Sequence, residues 1–199
     1  MAPESRGVWP LKLREGELLL APLKYRHKKI WSEVRNRNRE WLDPWEATRP
    51  LIDGKPDSLL ALPSYFQMVR HYTEEARDLR SISLGIWIFE NSRLIFIGQI
   101  TLGGIVFGAM RGAHIGYWID QKYANRGLTT RAVSLLADYG FTELALHRIE
   151  INLRPENEAS AKVAQKAGFI FEGIRHRYLH INGEWRDHAT YVRENSQIR

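Results

Sequence analysis

The run Ala124–Thr130 (ANRGLTT) has residue types that could hold an anion at the start of a helix. Gly127 suits a tight turn, Asn125 tolerates the same left-handed backbone, and the threonines suit a first helical turn. Such a turn points unpaired backbone N–H groups and the positive helix end at one place, where a pyrophosphate can bind. One charge at a helix end gains only about 0.3–1 kcal/mol, so several N–H groups and Arg126 must act together. A plain turn with Thr129 as a helix cap is the alternative.

Two predicted strand–helix units carry this run and a second polar pair. The first unit is His114–Val133, in which an apolar strand leads through the loop into a helix. The second unit is His147–Phe169, in which an alternating strand ends at Arg154 before Asn157 and Ser160 enter a helix. Together they predict a βαβα unit with a ligand between the strand ends. Asn157 and Ser160 are also common helix caps, so capping alone is an alternative role for them.

The rest of the chain predicts strands and helices around this unit. Alternation, helical spacing and turn signals indicate a strand or hairpin over Trp9–Ala21, helices over Lys24–Leu42 and Ser64–Arg80, a loop over Glu46–Pro63, and strands over Ile82–Glu90, Leu94–Leu102, Ile170–Ile181 and Glu184–Arg193. Asn182–Gly183 is the clearest hairpin signal, because this dipeptide favours a two-residue turn. With 199 residues, 44% of them hydrophobic, the chain predicts one α+β (mixed α/β) domain, residues 1–199, with a core over about 11–193 and a frayed tail at 194–199.

Composition excludes several kinds of chemistry. The chain has no cysteine, which excludes a cysteine nucleophile and thiolate metal ligands, and no metal site is expected from its histidines. It has no apolar run of the roughly 18 residues that a membrane span needs and no secretory signal at its start, so a cytoplasmic protein is expected. The net charge is +6, and Lys24–Arg39 is the densest basic region. That run could contact nucleic acid, attract a polyanionic cofactor or form a solvated helix face.

Several short motifs stand in a characteristic order along the chain. They are the loop at 124–130, the N-x-x-S pattern of Asn157 and Ser160, and Ala167–Phe169 (AGF). Their order and spacing resemble the GNAT superfamily of acetyl-CoA-dependent N-acetyltransferases. Within it, Trp41–Trp45 (WLDPW) and Tyr178–Asp187 resemble the branch that acetylates the N-terminal alanine or serine of ribosomal proteins. The resemblance covers about residues 11–192.

This resemblance implies a single-domain fold with a central, mostly antiparallel, twisted sheet of about seven strands, splayed in the middle and flanked by about four helices. It implies acetyl-CoA as co-substrate, with an extended pantetheine along Ile115–Asp120 and the pyrophosphate on the loop amides. The residues expected to bind it are Trp118, Ile119, Asn125, Arg126, Gly127, Leu128, Thr129, Thr130, Asn157 and Ser160. The family loop usually has other residues where this chain has Ala124, Asn125 and Thr129, and these positions bear on cofactor affinity.

The resemblance also implies catalytic roles. An amine would attack the thioester directly, Ser160 would give a proton or hydrogen bond to the leaving thiolate, and Asn157 would bind pantetheine or the acetyl oxygen. Relatives often carry a glutamate base where this chain has Asn152. Glu150 shares that strand face and is the candidate base, directly or through a water, unless it is only an exposed strand carboxylate.

The missing glutamate favours an acceptor that is already partly neutral. An α-amine, with a pKa of about 7.7–8.0, is roughly a tenth neutral at pH 7, whereas a lysine at about 10.4 is below about a thousandth. We therefore predict an N-acetyltransferase whose partner is a protein N-terminus, with ribosomal proteins as candidates. The alternatives are an antibiotic or polyamine acceptor and a non-catalytic RNA- or ribosome-binding module. A monomer or homodimer is expected, without membrane contact and with nucleic-acid contact only through the basic helix.

Overall fold

A computed structural model describes residues 9–52, 54–56 and 63–198, and its main feature is an eight-stranded sheet. The strands are β1 (Leu13–Glu15), β2 (Leu18–Ala21), β3 (Leu51–Ile52), β4 (Lys55–Pro56), β5 (Ile82–Glu90), β6 (Arg93–Val106), β7 (Gly112–Ile119), β8 (Arg148–Leu153), β9 (Ile170–Ile181) and β10 (Glu184–Glu194). The α-helices are α1 (Lys28–Arg37), α2 (Arg39–Leu42), α3 (Tyr65–Arg77), α4 (Leu128–Thr142) and α5 (Glu158–Lys166). The order across the sheet is β1-β2-β5-β6-β7-β8-β10-β9, and β3 pairs separately with β4. Neighbouring strands are antiparallel except for β7 and β8, which are parallel.

Local sequence signals set several of these elements. Ser64 caps α3, because its hydroxyl accepts the Gln67 backbone N–H at 3.3 Å while Gln67 Oε1 accepts the Ser64 N–H at 2.8 Å. Asn182 and Gly183 both have positive φ, 46° and 83°, which gives the tight turn expected between β9 and β10.

The sheet opens in its middle, between β7 and β8. These strands pair where Gly112–His114 lies opposite Arg148–Glu150. Beyond that point β7 continues to pair with β6, and β8 pairs with β10. One backbone edge of β7 is therefore free from Ile115 to Ile119, where an extended ligand can add hydrogen bonds. The splayed, mostly antiparallel sheet expected from the sequence is confirmed.

Helices cover both faces of the sheet around this opening. Side chains of α4 and α5, including Leu136 and Ala164, are fully buried in the larger apolar core. On the other face, Val34 of α1 and Val69 of α3 pack around Phe96. Because β7 and β8 run parallel, the helices that follow them, α4 and α5, both begin at the same end of the sheet. Their first turns therefore lie beside the gap.

The early helical region differs from its prediction. The single helix expected over Lys24–Leu42 is divided at Asn38 into α1 and α2. The cause is the Asn38 side chain, whose Nδ2 donates to the Val34 carbonyl at 2.8 Å and to Asp120 Oδ1 at 2.9 Å. With this extra helix, the described residues contain five α-helices rather than about four.

Other boundaries also shift. The loop expected over Glu46–Pro63 contains the β3–β4 pair, although residues 53 and 57–62 lie outside the described chain. The sheet has eight strands rather than about seven, because β1 and β2 form a complete hairpin. Glu194, expected in the frayed tail, pairs with Arg148 as the last residue of β10. The domain core over 11–193 stays a prediction, and residue 199 lies outside the described chain.

Candidate active site

The loop before α4 presents a row of unpaired backbone N–H groups, called here the amide nest (residues 125–130). Asn125 and Gly127 both adopt left-handed backbone, with φ of 60° and 73°. The first hydrogen bond of the helix runs from the Arg131 N–H to the Gly127 carbonyl at 3.1 Å. Within the described chain, no acceptor is bonded to the N–H groups of the nest itself. Such a concave row of N–H groups at a helix start binds phosphate.

The amide nest opens onto a cavity of about 780 Å³, a size typical of small-molecule sites. Its walls come from the carboxyl end of β7, the loop and first turn of α4, helix α5, and the end of α2 with the segment that follows it. Most residues expected to bind the cofactor line it, namely Trp118, Ile119, Asn125, Gly127, Leu128, Thr129, Thr130, Asn157 and Ser160. Thr129 is only 9% exposed, so its side chain lies mainly against protein and not across the nest.

Arg126 is not part of the described cavity lining. Its guanidinium lies 5.1 Å from the centre of the Tyr123 ring and 3.4 Å from the Glu90 carboxylate. The side chain is about half exposed, at 48%. The structure therefore does not bring Arg126 into the cavity, where the N–H groups of the nest remain available to an anion.

Asn157 and Ser160 face the cavity from the first turn of α5. Asn157 Oδ1 accepts the Ser160 backbone N–H at 3.0 Å, so capping is one part of its role. Its Nδ2 group has no hydrogen-bond partner in the described chain and can reach a ligand. The Ser160 Oγ lies 2.8 Å from the hydroxyl of Tyr117 on β7.

Tyr117 is a cavity residue that the sequence analysis missed. Alternation along β7 places it on the same sheet face as Ile115 and Ile119, which α4 and α5 cover. Burial raises the pKa of Tyr117 to about 12, so its hydroxyl stays protonated at neutral pH. An aromatic residue in an apolar strand usually indicates core packing. The only sequence signal for a further role was its position on the face that meets the helix carrying Ser160.

The structure does not bring Glu150 to the cavity. Glu150 is 8% exposed and lies where β7 and β8 are still paired. Its carboxylate is 3.0 Å from Arg148 Nε and 2.8 Å from Arg175 Nη2, and it accepts from Asn152 Nδ2 at 3.3 Å. Two guanidinium groups stabilise this anion and occupy its oxygens. The carboxylate is therefore a poor candidate for taking a proton from an amine.

The cavity side opposite α5 is the tryptophan wall, formed by Trp41, Leu42 and Trp45–Ala47. Arg154, at the end of β8, holds this wall in place. Its Nη1 donates to the Pro44 carbonyl at 2.9 Å, and its guanidinium lies 5.3 Å from the centre of the Trp45 ring. The wall is thus fixed to the strand that borders the gap.

A second set of contacts attaches the tryptophan wall to α1 and to the β9–β10 hairpin. Glu46 forms an ion pair with Arg35 of α1. Its carbonyl accepts the Asn182 N–H at 3.0 Å, and the Thr48 N–H donates to the His180 carbonyl at 2.9 Å. The tryptophan wall is therefore attached to α1 on one side and to the last hairpin on the other.

Asp120 fixes the end of β7 beneath the cavity. It is fully buried, pairs with Arg37, and accepts hydrogen bonds from Asn38 Nδ2 at 2.9 Å and the Lys122 N–H at 3.3 Å. Burial alone would raise the pKa of Asp120, but the hydrogen bonds from Arg37 and Asn38 lower it below its usual value. The carboxylate is thus an anchor between α1, α2 and the strand.

The histidines and carboxylates in the described part of the chain are not grouped around a common point. Residues 9–52, 54–56 and 63–198 contain no group of three or more His, Cys, Asp or Glu side chains placed to hold a metal ion. His176 instead bonds Asp187 at 2.9 Å, and His188 Nδ1 donates to the Arg186 carbonyl at 3.0 Å. In the same residues, every helix is too short or too polar to cross a membrane.

The sequence of this chain matches one protein family over most of its length. Residues 18–170 match the family model described as the acetyltransferase (GNAT) domain. The chain belongs to the GNAT family. It is therefore an N-acetyltransferase, and the resemblance noted from its motifs is confirmed together with the mixed α/β fold.

Individual relatives of this GNAT chain are similar over most of their length. A probable N-acetyltransferase of Bacillus subtilis is 34% identical over 157 residues, which are 79% of this chain and 82% of the relative. The ribosomal protein uS5-alanine N-acetyltransferase of Escherichia coli is 30% identical over 152 residues, which are 76% of this chain and 74% of the relative. Among solved structures, Mycobacterium smegmatis RimJ in complex with CoA-disulfide has a TM-score of 0.82 and 32% identity, covering 96% of this chain and 90% of RimJ.

Proposed function

We propose that this GNAT protein transfers an acetyl group from acetyl-CoA to the N-terminal α-amine of a protein, with ribosomal proteins as candidate substrates. The supporting observation is one cavity that joins the amide nest, the Ser160 hydroxyl and the tryptophan wall. The relative that acts on the alanine of ribosomal protein uS5 supports this choice of acceptor. Such a substrate is made in the cytoplasm, where we place the protein in this proposal.

The donor end of the cavity fits a coenzyme A thioester. The amide nest offers unpaired N–H groups to a diphosphate, and Lys162 and Lys166 of α5 add positive charge to the lining. The free backbone edge of β7 from Ile115 to Ile119 can pair with the amides of pantetheine. RimJ, a similar structure, holds CoA-disulfide, which supports the same assignment. When bound, acetyl-CoA supplies an acetyl group that is activated as a thioester.

The side chains of the cavity act by positioning and hydrogen bonding. The Ser160 hydroxyl donates to the thioester sulfur, and the free Asn157 Nδ2 donates to an amide or acetyl oxygen. Correct positioning of two reactants can contribute roughly 7–11 kcal/mol. We assign no side chain as general base, because Arg148 and Arg175 occupy the Glu150 carboxylate. An α-amine, partly neutral at pH 7, needs such a base less than a lysine does.

Two peptides of one sequence test the choice of acceptor. One has a free N-terminal alanine and blocked lysines, and the other has a blocked N-terminus and one free lysine. We expect kcat/KM to be at least about tenfold higher for the free α-amine, because its neutral fraction is larger. Spermidine is the small-amine comparison. Equal kcat/KM for the two peptides, or a higher value for spermidine, would overturn the proposal.

A further inference from the structure

The Tyr117 hydroxyl has one neighbour of chemical interest, the side chain of Ser160. The two hydroxyl oxygens are 2.8 Å apart, and the Tyr117 O–H is also placed to donate to the Ser160 carbonyl oxygen, at the longer distance of 3.3 Å. Both residues line the cavity. Asn157 Oδ1 accepts the Ser160 backbone N–H at 3.0 Å, so two residues, Asn157 and Tyr117, fix this serine.

We propose that Tyr117 is a positioning residue, whose O–H donates to Ser160 Oγ and so directs the serine proton toward the sulfur of the donor thioester. This inference rests on the proposed acetyl-CoA site. In the transfer, the amine nitrogen bonds to the acetyl carbon as the carbon–sulfur bond breaks. The sulfur keeps the electron pair and accepts the hydrogen bond from Ser160, while the proton lost by the acylated nitrogen passes to water.

The chemistry of the pair favours this direction of donation. Tyr117 has one proton, and burial, which raises its pKa to about 12, keeps that proton in place near neutral pH. Ser160 Oγ at 2.8 Å is a nearer acceptor for it than the Ser160 carbonyl at 3.3 Å. If Tyr117 donates to Ser160 Oγ, the serine proton is free to turn into the cavity. A thiolate is a charged acceptor and binds such a proton more strongly than a phenol oxygen does. Donation from tyrosine also polarises the serine O–H and strengthens its own bond.

The test compares Tyr117→Phe with Ser160→Ala, the double variant and Tyr139→Phe. Tyr139 is the matched control, because its hydroxyl is buried without a hydrogen-bond partner in the described chain. The first measurement is the pKa of the thiol of bound CoA, followed by thiolate absorbance, which requires no acceptor amine. We expect Tyr117→Phe to lower the bound thiolate fraction about three- to tenfold, the range for one neutral hydrogen bond. Tyr139→Phe should leave it unchanged.

The second measurement is the steady-state rate with an accepted amine. We expect Tyr117→Phe to lower kcat about three- to tenfold with KM for acetyl-CoA changed less than about twofold. Its effect should largely disappear in the Ser160→Ala background, because the tyrosine acts through the serine. Additive effects of the two substitutions on kcat would overturn this inference alone. An unchanged thiol pKa in Tyr117→Phe and Ser160→Ala, with normal CoA binding in both variants, would do the same. Absence of CoA binding by the unmodified protein would instead overturn the donor site and this inference with it.

Discussion

Gly127 of the amide nest has a left-handed conformation, φ 73°, although apart from its chain neighbours no atom lies within 4 Å of the place a Cβ would occupy. Glycine is required here because of the positive φ, since a side chain would have enough room. An L-residue in this conformation costs about 1–2 kcal/mol, and relaxing that strain would turn the nest N–H groups away from their common focus. We expect Gly127→Ala to raise the Kd for CoA about tenfold, measured by isothermal titration calorimetry.

Gly108 supplies the matched control for this substitution. Its φ is 75°, and it too has open space around the missing Cβ, but it lies in the turn between β6 and β7, away from the cavity. We expect Gly108→Ala and Gly127→Ala to lower the free energy of unfolding by similar amounts. Only Gly127→Ala should weaken CoA binding. Equal Kd values for the two variants would contradict a phosphate-binding role for the nest.

At the scale of elements, the break between α1 and α2 depends on one buried carboxylate. Asp120→Asn keeps the shape of the side chain but removes the charge that faces Arg37. We expect a loss of about 2–3 kcal/mol in the free energy of unfolding, less than for a fully buried pair because Arg37 is 39% exposed and can be hydrated. Urea unfolding measures this loss. Asp138→Asn, which removes an exposed pair with Arg193, is the control and should cost less than about 1 kcal/mol.

The same carboxylate makes stability depend on pH in a defined direction. The pKa of Asp120 is lower in the folded protein than its unfolded value of about 3.9. Its contribution is therefore complete above about pH 5 and is lost as pH falls through the lower, folded pKa. We expect the difference in unfolding free energy between the unmodified protein and Asp120→Asn to be constant near neutrality and to shrink in acid. A difference that instead grew below pH 4 would contradict the assignment.

Features that depend on only a few adjacent residues could be predicted from the sequence. The cap at Ser64, the turn at Asn182–Gly183 and the left-handed residues Asn125 and Gly127 each depend on neighbours in the chain. These signals place helices, hairpins and the amide nest. They were sufficient for the fold class and for most of the cavity lining, because the two strand–helix units carry all of it except Arg35 and the tryptophan wall.

Features that depend on contacts between residues far apart in the chain could not be predicted from the sequence. The break at Asn38 is caused by Asp120, 82 residues away, and the Tyr117–Ser160 contact joins residues 43 apart. Glu150 alternates onto a polar strand face, but the pairing of β9 with β10 brings Arg175 against it and turns a candidate base into a buried ion pair. The spacing of residues along β8 does not predict which arginine of β9 lies beside Glu150 in the folded sheet.

At the scale of the whole molecule, the positively charged side chains near the cavity fall into two groups, arginines that form ion pairs and lysines that line the cavity. The net charge is +6, and the basic run 24–39 is its densest region. Within that run, Arg35 pairs with Glu46 of the tryptophan wall and Arg37 pairs with Asp120. These two arginines therefore connect α1 to the tryptophan wall and to the end of β7. The lysines that line the cavity, Lys162 and Lys166, come from α5 instead, and Lys162 lies 3.6 Å from Glu158.

Binding of the donor should therefore stabilise the whole fold. A ligand at a hundredfold its Kd adds about 2.7 kcal/mol, which for a chain of this size raises Tm by about 5–10 °C. We expect this shift with acetyl-CoA in the unmodified protein and in Gly108→Ala, and a smaller one in Gly127→Ala at the same concentration. Dephospho-CoA should give a smaller shift than acetyl-CoA, because it lacks the 3′-phosphate and so carries less negative charge for Lys162 and Lys166 of the lining to attract. Differential scanning calorimetry measures these values, and a Tm that acetyl-CoA leaves unchanged at millimolar concentration would exclude the donor site.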